Sequence, residues 1–467
     1  MTAELARLSS GHAALDMVLG GGIPRDAITL LVGDPGSGKT ILAQQYVFHN
    51  ATPQRPVLYL TTVSEPFDKV VRYGQTLSFF DPAVVGSAVF YFDLGGVVHA
   101  EGLRGVLTTV GDLIKQHRPG MVVIDSFKAL AAFADDQREF RWFLHELAGR
   151  LSALAASALW VGEYSPEEIT QAAEFAIVDA IISLNMLRTA KREFRTLHVL
   201  KLRGSDFRSG HHVYRIGSDG LRVFPRLADP HVQDGYELPT ARVATGIPAL
   251  DEALGEGYWP GSTTLVAGPS GVGKTILSLH FVFEGVSRGE PGIIAGLQEN
   301  PVQLARLVDG LGWSLDADGV HVLSRSPVAI YIDEWVYELL ELIEETGAKR
   351  VVIDSLGDLA LGASDELRFR EYMYSLMQRC SRAGVSLLMT LEIAELFGVT
   401  RLSDLGISHL SDNVVLLQYV RRESEVVRAL AVLKSRASSH SRAIRHLDIG
   451  SDGMILGDLV KDAAGFG

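Results

Sequence analysis

The sequence contains one long pattern twice. Ser10-Gly11-His12-Ala13-Ala14-Leu15-Asp16, followed by Leu19-Gly20, matches Thr245-Gly246-Ile247-Pro248-Ala249-Leu250-Asp251, followed by Leu254-Gly255. The separation is 235 residues and holds without a gap as far as Lys39 and Lys274. Asp125 and Asp354 stand 229 apart, while Asp179 and Asp412, Lys201 and Lys434, and Arg203 and Arg436 each stand 233 apart. The pentapeptide Ile-Gly-Ser-Asp-Gly occurs at 216–220 and again at 449–453. Ordered matches along a whole chain mean two copies of one domain, because the repeats of a solenoid are only ~20–50 residues long. The expected division is a first domain over 1–228, a linker over 229–242 where the sequence is polar and proline-broken, and a second domain over 243–467.

Within each copy short apolar runs alternate with helical patterns. Ala27–Val32, Val57–Thr61, Met121–Asp125 and Ala158–Gly162 read as strands, Thr40–His49 and Phe140–Ala156 as helices. In the second copy Thr263–Ala267, Gly292–Leu297, Val351–Asp354 and Ser386–Thr390 take the same places. Such alternation predicts an α/β fold in each copy, a mostly parallel sheet covered by helices.

Between the first strand and first helix of each copy lies the pattern GxxxxGK[ST]. It reads Gly33-Asp34-Pro35-Gly36-Ser37-Gly38-Lys39-Thr40 in one and Gly268-Pro269-Ser270-Gly271-Val272-Gly273-Lys274-Thr275 in the other. A strand before and a helix after is the context that identifies a P-loop. Glycines let backbone N–H groups curl around phosphates, and the helix N-terminus adds its positive end. Lys39 and Lys274 are then the cations that reach the terminal phosphates, and Thr40 and Thr275 the hydroxyls that hold Mg²⁺. Asp125 and Asp354, each ending a hydrophobic Val-x-Ile-Asp strand, are the matching Walker B acids for the metal. ATP with Mg²⁺ is therefore the expected substrate and cofactor.

Composition narrows the partners. There are 43 basic and 56 acidic residues, a formal charge of −13, which argues against a general nucleic-acid coat. The single cysteine, Cys380, excludes an intrachain disulfide and a multi-cysteine metal site, and reads as a core residue. No apolar run reaches the ~18 residues of a membrane span, and the N-terminus lacks the apolar stretch of a signal peptide. The expected location is cytoplasmic.

Two tandem RecA-like domains, each with a P-loop, a Val-x-Ile-Asp-Ser strand end and a late Lys-x-Arg element, resemble the KaiC family of circadian-clock ATPases and autokinases. Lys201-Leu202-Arg203-Gly204 matches that family's motif in its first domain, and Val414–Val420 resembles the corresponding strand of its second. The resemblance implies a homohexamer of two stacked rings with ATP between neighbouring subunits. It also implies that Lys201 and Arg203, and Lys434 and Arg436, reach across to the neighbour's nucleotide. A cation supplied in trans stabilises charge on the transferring phosphoryl group, by ~10³–10⁵ in rate in known cases.

The chain departs from that family at several places. The family usually places two adjacent glutamates shortly before a proline, to orient and deprotonate water. Here the second copy reads Gln298-Glu299-Asn300-Pro301, and the first reads Val63-Ser64-Glu65-Pro66, with Glu65 shifted by one. Glu299 and Glu65 remain as candidate catalytic acids, and slow turnover is expected, since losing a general base typically costs ~10²–10⁴-fold. The family phosphorylates an adjacent serine and threonine in its second domain; Ser408 falls on the serine position and His409 on the threonine's, leaving one phosphoacceptor candidate. About a dozen residues follow Gly453-Met454-Ile455-Leu456, so a KaiA-type activator, which binds a long tail, is not expected. A KaiB-like partner on the first ring stays open. Two alternatives to the slow ATPase and serine autokinase also stay open. One is a RecA/RadA-type DNA-dependent ATPase, for which Lys128, Arg368 and Arg370 are the basic candidates. The other is an ATP-held oligomeric scaffold without turnover.

Overall fold

A computed structural model describes residues 5–63, 67–169, 171–188, 192–227, 239–297, 299–328, 330–396, 407–422, 425–436 and 438–460. Packing divides the chain into two units, Met1–Arg226 and Leu227–Gly467.

In the first unit the apolar run at the P-loop makes β1 (Ile28–Gly33), which is buried along its whole length. Apart from a short separate pair (Arg7–Leu8 with Ile23–Pro24), the other strands are β2 (Val57–Thr61), β3 (Val89–Asp93), β4 (Met121–Asp125), β5 (Ser157–Gly162), β6 (Ala180–Arg188), β7 (Glu193–Leu202), β8 (His212–Gly217) and β9 (Gly220–Phe224). The helices that matter here are α1 (Lys39–Asn50), α2 (Phe67–Gly74), α3 (Gly95–His117) and α4 (Gln137–Ala153). Among the described residues the strands form one nine-stranded sheet in the order β3-β2-β4-β5-β1-β6-β7-β8-β9. From β3 to β6 neighbours are parallel, and from β6 onward they are antiparallel.

Central parallel strands are covered on both faces, so they read as continuous apolar runs. Their alternate side chains enter two separate cores. Leu30, Val122, Ile124 and Trp160 pack with α3 and α4. Leu31, Tyr59, Val123 and Leu159 pack with Leu42, Ala43 and Tyr46 of α1 on the other face. Trp160 stacks on Phe127 with ring centres 4.0 Å apart, a contact that adds about 0.5–1.5 kcal/mol to area burial.

The second unit repeats this with β10 (Thr263–Gly268), β11 (Gly292–Gly296), β12 (Val320–Ser324), β13 (Arg350–Asp354), β14 (Ser386–Glu392), β15 (Asn413–Arg422), β16 (Glu425–Ser435), β17 (Arg445–Gly450) and β18 (Gly453–Leu459). Its helices include α5 (Lys274–Ser287), α6 (Pro301–Gly310), α7 (Ile332–Thr346) and α8 (Glu366–Arg382). The order is β12-β11-β13-β14-β10-β15-β16-β17-β18, the first unit's order strand for strand. Cys380 is buried in this core, and burial pushes its thiol up to about 12, so it is an inert packing group.

One expected helix is misplaced at both ends. The helix read as Phe140–Ala156 starts earlier and ends at Ala153. Asp136 caps it by accepting from the Arg138 and Glu139 N–H groups at 2.7 and 2.8 Å. Leu154-Ala155-Ala156 has high helix propensity, yet Ala155 takes φ +48° and turns the chain into β5. Joining the sheet overrides local preference.

The two units differ at one buried hinge-pin of hydrogen bonds. In the first, Gln45 on α1 donates to Ser10 O (3.1 Å) and accepts from Leu221 N–H (3.0 Å). In the second, the equivalent residue is His280. Its Nε2 accepts from Met454 N–H at 2.8 Å, and the ring is also hydrogen-bonded to the Gly246 backbone. Trp313 meets the ring edge-on, and Glu284 is the charged neighbour. Burial holds the imidazole below its ordinary value of 6.5. Protonation would place a hydrogen on Nε2 against the Met454 N–H. A lowered folded value means this stability is complete above 6.5 and is lost as the pH falls below it. His280→Gln keeps both bonding directions without a titrating group. Urea unfolding of the full chain between pH 8 and pH 5.5 should show a smaller acid-dependent loss of stability in this variant than in the parent.

Candidate functional site

The functional residues gather at the carboxyl ends of the central parallel strands, where open α/β sheets bind ligands. In the first unit β1 delivers the P-loop. Gly33 has φ +147°, and a Cβ there would collide with the carbonyl oxygen of Leu184. Gly38 takes φ +94° at the start of α1, under the side chain of Ile216. Asp34 does not face the loop's interior: its carboxylate accepts from Met186 N–H at 2.7 Å and ties the loop to β6.

Lys39 is 7% exposed. Its Nζ donates to the carbonyls of Gly33 (3.1 Å) and Asp34 (2.7 Å), and Glu163 lies 3.5 Å away. Burial lowers its pKa, and Glu163 opposes that shift. Thr40 Oγ1 donates to Asp125 Oδ2 at 2.8 Å, and the Tyr59 hydroxyl donates to the same oxygen at 2.9 Å. Burial raises the Asp125 carboxyl, while these two bonds and Lys39 pull it back. Lys39, Thr40, Asp125 and Glu163 line one cavity of about 840 Å³, with Lys69 of α2 at its wall.

The second unit repeats the geometry. Lys274 is 8% exposed and donates to Gly268 O and Pro269 O, both at 2.9 Å. Thr275 Oγ1 donates to Asp354 Oδ2 at 2.7 Å, and Thr390 donates to the other carboxylate oxygen. Thr275, Asp354 and Glu299 share a cavity of about 30 Å³. Burial, reinforced by the charge on Asp354, raises the Glu299 carboxyl. A hydroxyl beside a carboxylate is the hard oxygen pair that suits Mg²⁺, which keeps several waters and takes phosphate oxygens for the rest. Among the described residues no group of three His, Cys, Asp or Glu side chains forms a closed metal cage. Thr40 with Asp125, and Thr275 with Asp354, would therefore hold the ion only together with a phosphate.

The Lys-x-Arg pairs do not join their own P-loops. Lys201 donates to Phe175 O (3.2 Å) and Ala176 O (3.4 Å), and Arg203 pairs with Asp179 at 3.4 Å. Lys434 donates to Ser411 O (2.6 Å) and Ser408 O (3.4 Å). Arg436 donates to His409 O (3.3 Å) and pairs with Asp412 at 3.6 Å. Ser408 thus sits at the carbonyls that hold the second copy's lysine. Glu65, Ser64 and Gln298 lie outside the described residues.

Three contributors went unnoticed in the sequence: Tyr59, Thr390 and the strand-end acid Glu163. A signal for Glu163 exists, because Glu163 and Glu392 keep the 229-residue separation of the Walker B acids. The basic candidates for DNA contact are each matched by an acid. Lys128 pairs with Glu168 at 2.7 Å, Arg370 with Glu366 at 2.9 Å, and Arg368 with buried Asp333.

Among the described residues no helix is long and apolar enough to cross a membrane. Comparison with known proteins finds relatives along the whole chain. A circadian clock oscillator protein KaiC of Picosynechococcus is 28% identical over 466 residues, covering 96% of this chain and 89% of the relative. The protein of the same name from Prochlorococcus marinus is 28% identical, covering 96% and 92%. A circadian clock protein KaiC3 of Synechocystis is 27% identical, covering 99% and 94%. The KaiC ATPase family profile matches residues 8–228 and again 243–459. Matched in this way over both of its halves, the chain belongs to the KaiC ATPase family.

Proposed function

We propose that this chain binds ATP at two sites per subunit and hydrolyses it slowly as a homohexamer of two stacked rings. In this reading the second copy also phosphorylates its own Ser408, and the nucleotide state of the rings acts as a signalling or timing switch read by partners. One observation supports it above others: behind each buried P-loop lysine a threonine hydroxyl is bonded to a strand-end aspartate, 2.8 Å in one unit and 2.7 Å in the other.

The residues divide the work. Backbone N–H groups of the glycine loops receive the phosphates, and Lys39 or Lys274 turns from its loop carbonyls to phosphate oxygens. Thr40 with Asp125, and Thr275 with Asp354, would hold Mg²⁺, which would supply charge neutralisation at the phosphates. Glu299 is placed to orient water and accept its proton, since its raised pKa makes it a better base than an exposed glutamate. Lys201, Arg203, Lys434 and Arg436 act on the neighbour's nucleotide. Ser408 beside Lys434 then meets the neighbour's γ-phosphate.

A nucleotide-held scaffold is favoured for the first ring alone. Val63 stands where the family has an acid; it is 44% exposed and has no proton-accepting group. The neutralised Lys128, Arg368 and Arg370 speak against DNA translocation.

Incubation with γ-labelled ATP, separating free phosphate from protein-bound label, tests the reading. Free phosphate together with label on Ser408 is expected, and neither product would refute turnover. Glu299→Gln should lower phosphate release by about 10²–10⁴-fold. The parent rate should fall on acidification at a pH above the ordinary glutamate value of 4.5, and this acid limb should vanish in the variant. Lys39→Ala should impair nucleotide-dependent assembly, read by light scattering; an unchanged oligomer would remove the first ring's role. Lys434→Ala should slow second-ring turnover without loss of nucleotide binding.

A further inference from the structure

The ammonium group of Lys39 has three hydrogens to place. Two go to the carbonyls of Gly33 and Asp34, and the Glu163 carboxylate stands on the third side at 3.5 Å. Glu163 follows directly on β5, the strand paired with β1, so the sheet itself sets its distance from the P-loop. Its side chain is 58% exposed and faces the same cavity as Thr40 and Asp125. An anion therefore already occupies the side of the lysine where a polyphosphate must arrive.

The second copy gives an internal comparison. Glu392 holds the same place at the end of β14, opposite Gly268. Yet Lys274 forms no close ion pair among the described residues: its two loop carbonyls hold it, and Glu392 acts on it only as a more distant charge that opposes the effect of burial. The sequence positions are equivalent, and the close ion pair is made in the first unit, while in the second the carboxylate acts from farther away.

We propose that Glu163 is a positioning residue that acts as a built-in competitor of the nucleotide's phosphates, latching Lys39 until a triphosphate displaces it. This rests on the first P-loop being a nucleotide site. Two effects act in one direction. The carboxylate must give up the lysine, and once freed it stays in the cavity as a negative charge close to the incoming phosphates. Removing the charge while keeping the shape relieves both. An ion pair this exposed is weak, so the effect is modest and specific to the phosphate end of the ligand.

The test uses full-length Lys274→Ala protein, which leaves the first site as the one to load. It is titrated with a fluorescent, non-hydrolysable ATP analogue and Mg²⁺. Adding Glu163→Gln should tighten Kd by about 2–5-fold, through faster association. Inorganic triphosphate, used as a competitor, should gain by the same factor, which a merely structural role would not produce. Glu163→Asp, which keeps the charge, should stay near the parent. Glu392→Gln in Lys39→Ala protein should tighten binding less than Glu163→Gln does. Unchanged or weaker binding in Glu163→Gln would overturn the latch while leaving the site intact. A Lys274→Ala parent that binds no nucleotide would overturn both.

Discussion

An ammonium group held almost out of water governs the form of each site. Lys39 and Lys274 are 7% and 8% exposed. A buried cation is costly unless hydrogen-bonded, and here the carbonyls that bond it belong to its own loop. For those carbonyls to point inward the loop must curl, and glycine at positive φ allows the curl. For the loop to be rigid it must be anchored at both ends. A fully buried strand enters it, and a helix packed against the sheet leaves it. The strand with the terminal aspartate stands one strand away from the P-loop strand, and the threonine that opens the helix reaches across to it.

That order is the same in both units, but side chains around it have diverged. Lys69 lines the first cavity at a position where the second copy has Leu304. Gln45 is matched by His280, and among the described residues the strand-end carboxylate pairs closely with the P-loop lysine in the first unit only. Each change leaves the backbone scheme untouched. Duplication has kept the geometry that holds phosphates and varied the charge that surrounds them.

The sequence made the parallel half of each sheet readable and left the other half obscure. β1, β2, β4 and β5 are buried on both faces, so their composition alone marks them. β3, at the sheet edge, is buried only at Val89 and is half-exposed to exposed from there to Asp93. β8 and β9 form an antiparallel hairpin through Ser218-Asp219, whose repeat at 451–452 showed kinship without showing a turn. At the site, Lys39, Thr40 and Asp125 were legible because motif spacing encodes a mechanical requirement. Tyr59 was not, because a tyrosine in an apolar strand looks like core until its hydroxyl is seen on Asp125. Glu163 was not, because one glutamate among many acquires meaning only when β5 is set beside β1.

The carbonyls that hold Lys201 and Lys434 have a further consequence. In each unit the lysine of the Lys-x-Arg pair is tied to carbonyls of its own chain: Phe175 and Ala176 in one, Ser408 and Ser411 in the other. An isolated subunit thus shows at each of these points a half-buried lysine already engaged by two carbonyls. Any outside anion that draws the lysine away exchanges existing bonds for new ones, and only the difference between the two sets registers as affinity. A polyphosphate, with several charges in one place, offers more in that exchange than a single weak anion.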